Sequence, residues 1–136
     1  MSYLLDTSTC IAMLRNRPPV VRARALAAID RHETLLVSSI VVHELWYGVY
    51  KSSDIQRNAI PLLRFLASNL ETVDFDHEDA RIAGEIRAGL KAQGTLIGAY
   101  DPLIAAQCLR YNFTLVTADV SHFRRISDLR WENWAA

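Results

Sequence analysis

Leu4-Leu5-Asp6-Thr7-Ser8, preceded by Tyr3, is the stretch from which the architecture of this chain can be read. A short apolar run stops at an acid, and Asp-Thr-Ser carries oxygens suited to the free amides at a helix start. Strand leading directly into helix is the unit from which parallel α/β sheets are built. The same grammar recurs downstream. An apolar run at 35–37 meets Ser38-Ser39, one at 72–73 precedes a helical segment, and Leu115-Val116-Thr117 ends at Ala118-Asp119. Residues 129–132 read as a short edge strand.

Between these runs the spacing predicts helices. The first covers 8–15; Pro18-Pro19 breaks it and starts a second, which runs to about residue 31. A third follows Ser38-Ser39 and reaches Tyr50 or Lys51. Ile55, Ala59, Leu62, Leu66 and Leu70 form a helical stripe. Residues 76–93 carry Ile82, Ile86 and Leu90 at four-residue spacing, and Gly94 supplies the stop. Asp101-Pro102 reads as a capping residue followed by proline at the first helical position. The expected fold is therefore α/β and helix-rich, with short parallel strands covered on both faces, in a single domain spanning 1–136.

Composition narrows the class. The chain has 136 residues, enough for one domain with a proper core, and no apolar run approaches a membrane span. No basic segment of a secretory signal opens it, so a cytoplasmic location is expected. Fifteen basic and fifteen acidic residues balance, which does not advertise a nucleic-acid binder. Balance can hide asymmetry, however. Arg81, Arg87 and Lys91 form the best basic patch for RNA; otherwise they belong to a solvated helix face with Arg81 paired to Glu85. Cys10 and Cys108 sit among apolar residues and read as small buried hydrophobes.

Four acids stand out: Asp6, Glu44, Asp101 and Asp119. Individually, three have ordinary explanations, since Asp6 and Asp101 can cap helices and Asp119 can make a turn. Glu44 is sharper, because it shares a helical face with Ile40 and Val41 and has no obvious basic partner. In a parallel sheet such positions meet at the carboxyl edge of the strands. Close carboxylates repel by about 4 kcal/mol per pair at intermediate dielectric, and a divalent cation is the shared explanation. Oxygen donors suit Mg²⁺, with Mn²⁺ as substitute. Zinc is disfavoured because His32, His43, His77 and His122 lack ligand spacing. There is no phosphate-binding glycine loop, and Ser8 stands where an aspartyl-phosphate enzyme wants a second acid. The expected chemistry is hydrolysis of a phosphodiester by a metal-activated water. Thr7 and Thr117, beside two of the acids, are either supporting hydroxyls or plain cap and turn residues. Trp46, Tyr47 and Tyr50 read as core or subunit-interface residues, with base stacking as the other reading. Trp131 and Trp134 read as packing anchors.

The stretches around these acids resemble a known family. Leu4–Ser8, the segment from Ser38-Ser39 through His43-Glu44 to Gly48, the segment from Gly94 through Asp101-Pro102 to Ala106, and Leu115–Asp119 are similar to the four acidic motifs of PIN-domain ribonucleases. More closely, the chain resembles the VapC toxins of bacterial VapBC toxin–antitoxin pairs, essentially from end to end. The resemblance implies a PIN-like three-layer α/β/α sandwich. It also implies Mg²⁺- or Mn²⁺-dependent endoribonuclease activity that arrests translation, with initiator tRNA among the candidate targets. Homodimerisation, larger assemblies with a VapB-type antitoxin, and inhibition by that antitoxin follow as well. Apolar antitoxin residues are expected in grooves near Ile11 and Leu14, with an arginine entering the acidic pocket. By position, Asp6 and Asp101 are the principal metal ligands, and Glu44 and Asp119 complete the pocket, through waters in part. Many relatives carry Asn where Asp119 stands, and Ser8 occupies a position usually held by Asn. The rival readings are a housekeeping RNA-processing PIN nuclease and a non-catalytic Mg²⁺-binding or scaffold domain.

Overall fold

The structure is a computed structural model and describes residues 1–95 and 97–136; Leu96, within the third acidic stretch, lies outside the described residues. The chain runs β1 (Ser2–Leu5), α1 (Thr7–Arg15), α2 (Pro19–Asp30), β2 (Thr34–Ser38), α3 (Ser39–Tyr50), α4 (Ile55–Leu66) and β3 (Glu71–Val73). It continues through α5 (His77–Ala92), α6 (Asp101–Tyr111), β4 (Thr114–Val116), α7 (Val120–Phe123) and β5 (Trp131–Glu132). The strands form one sheet in the order β3-β2-β1-β4-β5, and every pairing is parallel.

Successive side chains on a strand point to opposite faces. Leu4 and Leu5 are both fully buried, as are Leu115 and Val116, so both faces of the sheet are covered. This is the three-layer arrangement expected from the short apolar runs. Each fully buried leucine contributes about 1.5–3 kcal/mol of transfer free energy. The helices pack in pairs, α1 on α2, α3 on α4 and α5 on α6. Buried Ala105 and Ala106 give α6 a slim waist against its neighbours. Cys10 and Cys108 are buried and unpaired with each other, and burial pushes both thiols well above their ordinary pKa.

Several elements differ from the sequence expectation. Helix α1 ends at Arg15 as expected, but its stop is Asn16 in the left-handed conformation, whose amide reaches back to the Ala12 and Met13 carbonyls, and not the prolines. Helix α4 tolerates Pro61 in its interior and leaves Ile55 exposed, so the apolar stripe begins at Ala59 and Leu62. The short α7 was not legible at all. Trp134 is an anchor, edge-to-face on Tyr3 at 5.1 Å, whereas Trp131 on the edge strand is 38% exposed. Gly94 does provide the stop to α5, with φ +71°.

The α5–α6 pair is locked at one end by charge. Asp76 and Asp79 form a capping box at the start of α5, each side chain accepting from the other's amide. Asp79 is fully buried and takes hydrogen bonds from Gln107 at 3.1 Å and Arg110 at 3.0 Å, both on α6. Arg110 also pairs with Asp76 at 2.5 Å and holds that carboxyl down to about 2.

Candidate active site

The chain leaves β1 for β2 and β3 on one side of the sheet, then returns to place β4 and β5 on the other. In open parallel sheets ligand sites form at the carboxyl ends of the strands where the order reverses, here between β1 and β4. Asp6 follows β1 immediately. Its amide donates to the Val116 carbonyl at 3.1 Å, and Thr9 Oγ1 donates to the same carbonyl at 2.9 Å. The site is thus pinned to both central strands.

Asp6 is 6% exposed. Its Oδ1 accepts from the Thr9 amide and from Ser8 Oγ, each at 2.9 Å. It is therefore the helix cap anticipated from the sequence. The cap does not account for its burial as a charge, because every group bonded to it is a hydroxyl or an amide. Burial pushes its carboxyl above the ordinary range; the hydroxyls of Thr117, Ser8 and Thr9 and the Thr9 amide oppose the shift. Ser8, at a position where relatives usually carry Asn, donates a single hydrogen bond to Asp6 through its hydroxyl. Thr117 is buried and accepts the Asp119 amide at 2.9 Å, which shapes the turn after β4.

Glu44 lies half-buried on α3 and accepts from Thr7 Oγ1 at 2.8 Å. The partner missing from the sequence reading is thus a hydroxyl adjacent to Asp6. Asp101 is the first residue of α6, with Tyr100 at the cap position. Its carboxylate does not cap the helix. Oδ2 turns back to accept the Gly98 amide at 3.0 Å and meets His122 Nδ1 at 3.0 Å, leaving Oδ1 with no hydrogen-bond partner among the described residues. Asp119 precedes α7, is exposed, and makes no side-chain cap bond. The capping explanation that sufficed for Asp101 on paper therefore fails in three dimensions.

Bonds link the acids in two groups: Glu44 to Asp6 through Thr7, and Asp101 to the Asp119 turn through His122. Among the described residues, no three His, Cys, Asp or Glu side chains stand close enough to enclose a metal as they are. The donor set itself fits a hard divalent cation: carboxylate oxygens, surrounding hydroxyls, and a buried acid that no cationic side chain among the described residues contacts.

Of the basic candidates, Arg81, Arg87 and Lys91 are all exposed on α5. Arg81 pairs with Glu78, at 2.6 Å, and not with Glu85. It sits ten residues before Lys91, about 15 Å along the helix, toward the end remote from Asp101. Arg87 and Lys91 lie nearer the loop that leads to Asp101, where Arg125 Nη1 also reaches Thr95 Oγ1 at 3.2 Å. Tyr47 and Tyr50 are more than 60% exposed, so they are not core residues; Trp46 is half-buried and stacks on Tyr50 at 5.7 Å. His122 and the Gly98 amide were missed from the sequence. A histidine three residues past an acid carries no signal until the fold brings it to Asp101. Beside Glu44, a groove of about 800 Å³ runs between α1, α3 and α4, lined by Thr7, Ile11, Leu14, Tyr47 and Tyr100 among others.

A doubly covered parallel sheet with acids at its switch point is the architecture of a PIN domain, and the profile described as "PIN domain" matches residues 3–129. Ribonuclease VapC2 of Rickettsia felis is 40% identical over 98% of both chains. The tRNA(fMet)-specific endonuclease VapC of Salmonella typhimurium is 37% identical, again over 98% of each. Among solved structures, VapBC2 from Rickettsia felis bound to a promoter DNA fragment superposes with TM-score 0.90 at 37% identity, covering 98% of this chain and 99% of that one. The DNA-bound VapBC of Salmonella typhimurium gives TM-score 0.89 at 36% identity, over 98% of each chain. The chain belongs to the VapC ribonucleases of the PIN-domain family.

Proposed function

We propose that this protein is the toxin of a type II toxin–antitoxin pair, a Mg²⁺-dependent endoribonuclease acting in the cytoplasm, with residues 1–136 working as one domain. The observation that carries the reading is Asp6: a buried carboxylate at the sheet's switch point, bonded only to hydroxyls and amides, with its proton affinity raised by burial. Among the described residues, no helix is long and apolar enough to cross a membrane, which agrees with that location.

In this reading Asp6 and Asp101 hold Mg²⁺, or Mn²⁺ in its place, while Glu44 and Asp119 complete the pocket, in part through water. When bound, the ion lowers the pKa of a coordinated water and steadies charge on the phosphate and the leaving oxygen. The chain does the rest. Thr7 orients Glu44, Ser8 and Thr117 fix Asp6 and the β4 turn, and Arg87 and Lys91, with Arg81 farther off, lead the RNA backbone toward the acids. The relatives named tRNA(fMet)-specific endonuclease make a tRNA, initiator tRNA included, the first substrate to try.

The test is a cleavage assay with and without metal. Activity is expected with Mg²⁺ and Mn²⁺, to vanish in EDTA, and to be poor with Ca²⁺, which is larger and less strict in geometry. Products are expected to carry 5′-phosphate and 3′-hydroxyl ends, since water attacks and not the ribose 2′-hydroxyl. Cyclic 2′,3′-phosphate ends would rule the mechanism out. Sequencing RNA 5′ ends after brief induction, against an Asp6→Asn control, identifies the target.

A VapB-type antitoxin is the proposed partner, together with a second copy of the chain, in a heterotetramer or larger assembly. The groove beside Ile11 and Leu14 supports this, because its apolar walls open next to Glu44. An antitoxin segment lying there can deliver a guanidinium to the acids, where bidentate pairing competes with metal. Replacing that arginine with alanine is expected to weaken inhibition more than binding. A mutant complex that stays fully inhibited in excess Mg²⁺ would shift the explanation to occlusion of RNA.

A further inference from the structure

The turn after β4 carries a group that the reading above does not use. Helix α7 has only four residues, but its placement is firm: Phe123 is 1% exposed, and the Asp119 amide is tied to buried Thr117. The His122 amide donates to the Asp119 carbonyl at 3.0 Å. This backbone holds the imidazole with Nδ1 3.0 Å from Oδ2 of Asp101, across 21 residues of sequence. A carboxylate oxygen has only lone pairs to offer, so Nδ1 carries the proton and donates it.

Oδ2 is engaged from a second direction. The Gly98 amide donates to it at 3.0 Å, and a Cβ built on Gly98 would stand 2.9 Å from the same oxygen. The loop therefore presses backbone, with no side chain between, against one oxygen of Asp101. Two N–H donors on Oδ2 fix the rotation of the carboxylate and leave Oδ1 as the oxygen facing a ligand. Among the described residues no hydroxyl hydrogen-bonds this acid, unlike Asp6 and Glu44, so the histidine takes the part that hydroxyls play there.

We propose that His122 is a positioning residue of the nuclease site: with the Gly98 amide it pins Oδ2 of Asp101 and presets Oδ1 as the metal-binding atom. The proposal rests on the preceding reading that Asp101 holds a divalent cation. Groups that orient a metal ligand are worth about 10- to 100-fold in metal affinity or activity.

The experiment uses Mn²⁺ alone as probe, its binding to the full chain followed by electron paramagnetic resonance, beside kcat and KM on RNA. Because the His122 side chain is 47% exposed, His122→Ala should melt like the parent in EDTA. It is expected to bind Mn²⁺ about tenfold or more weakly and to lower kcat at limiting metal, with KM for RNA unchanged. His122→Asn, whose amide nitrogen can take the place of Nδ1, is expected to restore most of both. Unchanged Mn²⁺ affinity in His122→Ala would refute the role. Tighter binding would show the imidazole competing with metal, and a change in KM alone would make it an RNA contact; either refutes it too. Asp101→Asn separates the two levels of inference. If it loses Mn²⁺ while His122→Ala keeps it, only the positioning role falls; if the parent binds no Mn²⁺, both fall.

Discussion

Replacing Asp6 with asparagine is expected to reduce RNA cleavage by roughly a thousandfold or more, about 4 kcal/mol of transition-state stabilisation, while the fold persists. Asparagine keeps an Oδ1 acceptor, so the bonds from the Thr9 amide and Ser8 Oγ that start α1 survive. The charge is lost, and the second oxygen gives way to an amide nitrogen that donates. In the absence of metal that charge is a burden, since burial raises the Asp6 carboxyl above its unfolded value. The sign follows from proton linkage. A group whose folded pKa is raised contributes stability below its unfolded pKa, and that contribution is lost as pH rises through the folded value. In EDTA the parent should therefore lose stability on this account as pH climbs from about 4, the ordinary carboxylate value. Asp6→Asn should not show that loss, and at neutral pH it should melt at the same temperature as the parent or higher. Adding Mg²⁺ should raise the parent's melting temperature and the variant's much less, because a ligand stabilises only the state that binds it. Melting curves across pH, with EDTA and with Mg²⁺, check all of this. A variant that still cleaves at parental rate, or responds fully to Mg²⁺, would remove Asp6 from the site.

The largest effect on stability is expected at Arg110. Its Nη1 reaches both Asp79 and Asp76, and Asp79 has a side chain with no exposure. Removing one partner of a buried pair leaves an uncompensated charge, which costs about 3–5 kcal/mol. The Arg110 side chain is 28% exposed, so water can replace part of it and the lower end applies. Arg110→Ala should thus lower Tm, by roughly 10 °C for a domain of this size. Asp79→Ala combined with Arg110→Ala should cost less than the sum of the two single changes, since the second removal no longer strands a charge. The acid limb should change as well. Asp76, held down to about 2 chiefly by Arg110 and next by the Asp79 amide, contributes stability that is fully present above its unfolded pKa and is lost as pH falls below that and through about 2. In Arg110→Ala the largest part of this contribution is lost while the Asp79 and Glu78 amides keep the rest, so the acid decline from Asp76 should become shallower. Additive single and double changes would show that the pair is not coupled. Below the melting transition kcat should be preserved, because this lock lies at the end of α6 remote from Asp101.

The sequence by itself determined the order of strands and helices, α7 excepted, and with it the parallel sheet. Local signals sufficed there: short apolar runs ending in Asp or Ser, apolar residues at helical spacing, and a glycine, Gly94, where a helix had to stop. It also singled out four acids, because an acid at a strand end or on an apolar helix face is conspicuous without knowledge of its neighbours. Whether a carboxylate caps a helix or faces a ligand was not a local question. Asp6 and Asp101 read alike on paper, yet the first caps α1 and the second turns away from α6 toward Gly98 and His122. That difference depends on where a loop and a four-residue helix, 21 residues further along the chain, come to rest. The partner of Glu44 was equally hidden, since Thr7 lies 37 residues away and meets it only once α1 and α3 pack. The same held for the charge lock, whose Asp79 reads as an ordinary first-turn acid until α6 closes over it. Hydrogen bonds decide such matters at about 3 Å, and only the packed chain sets distances on that scale.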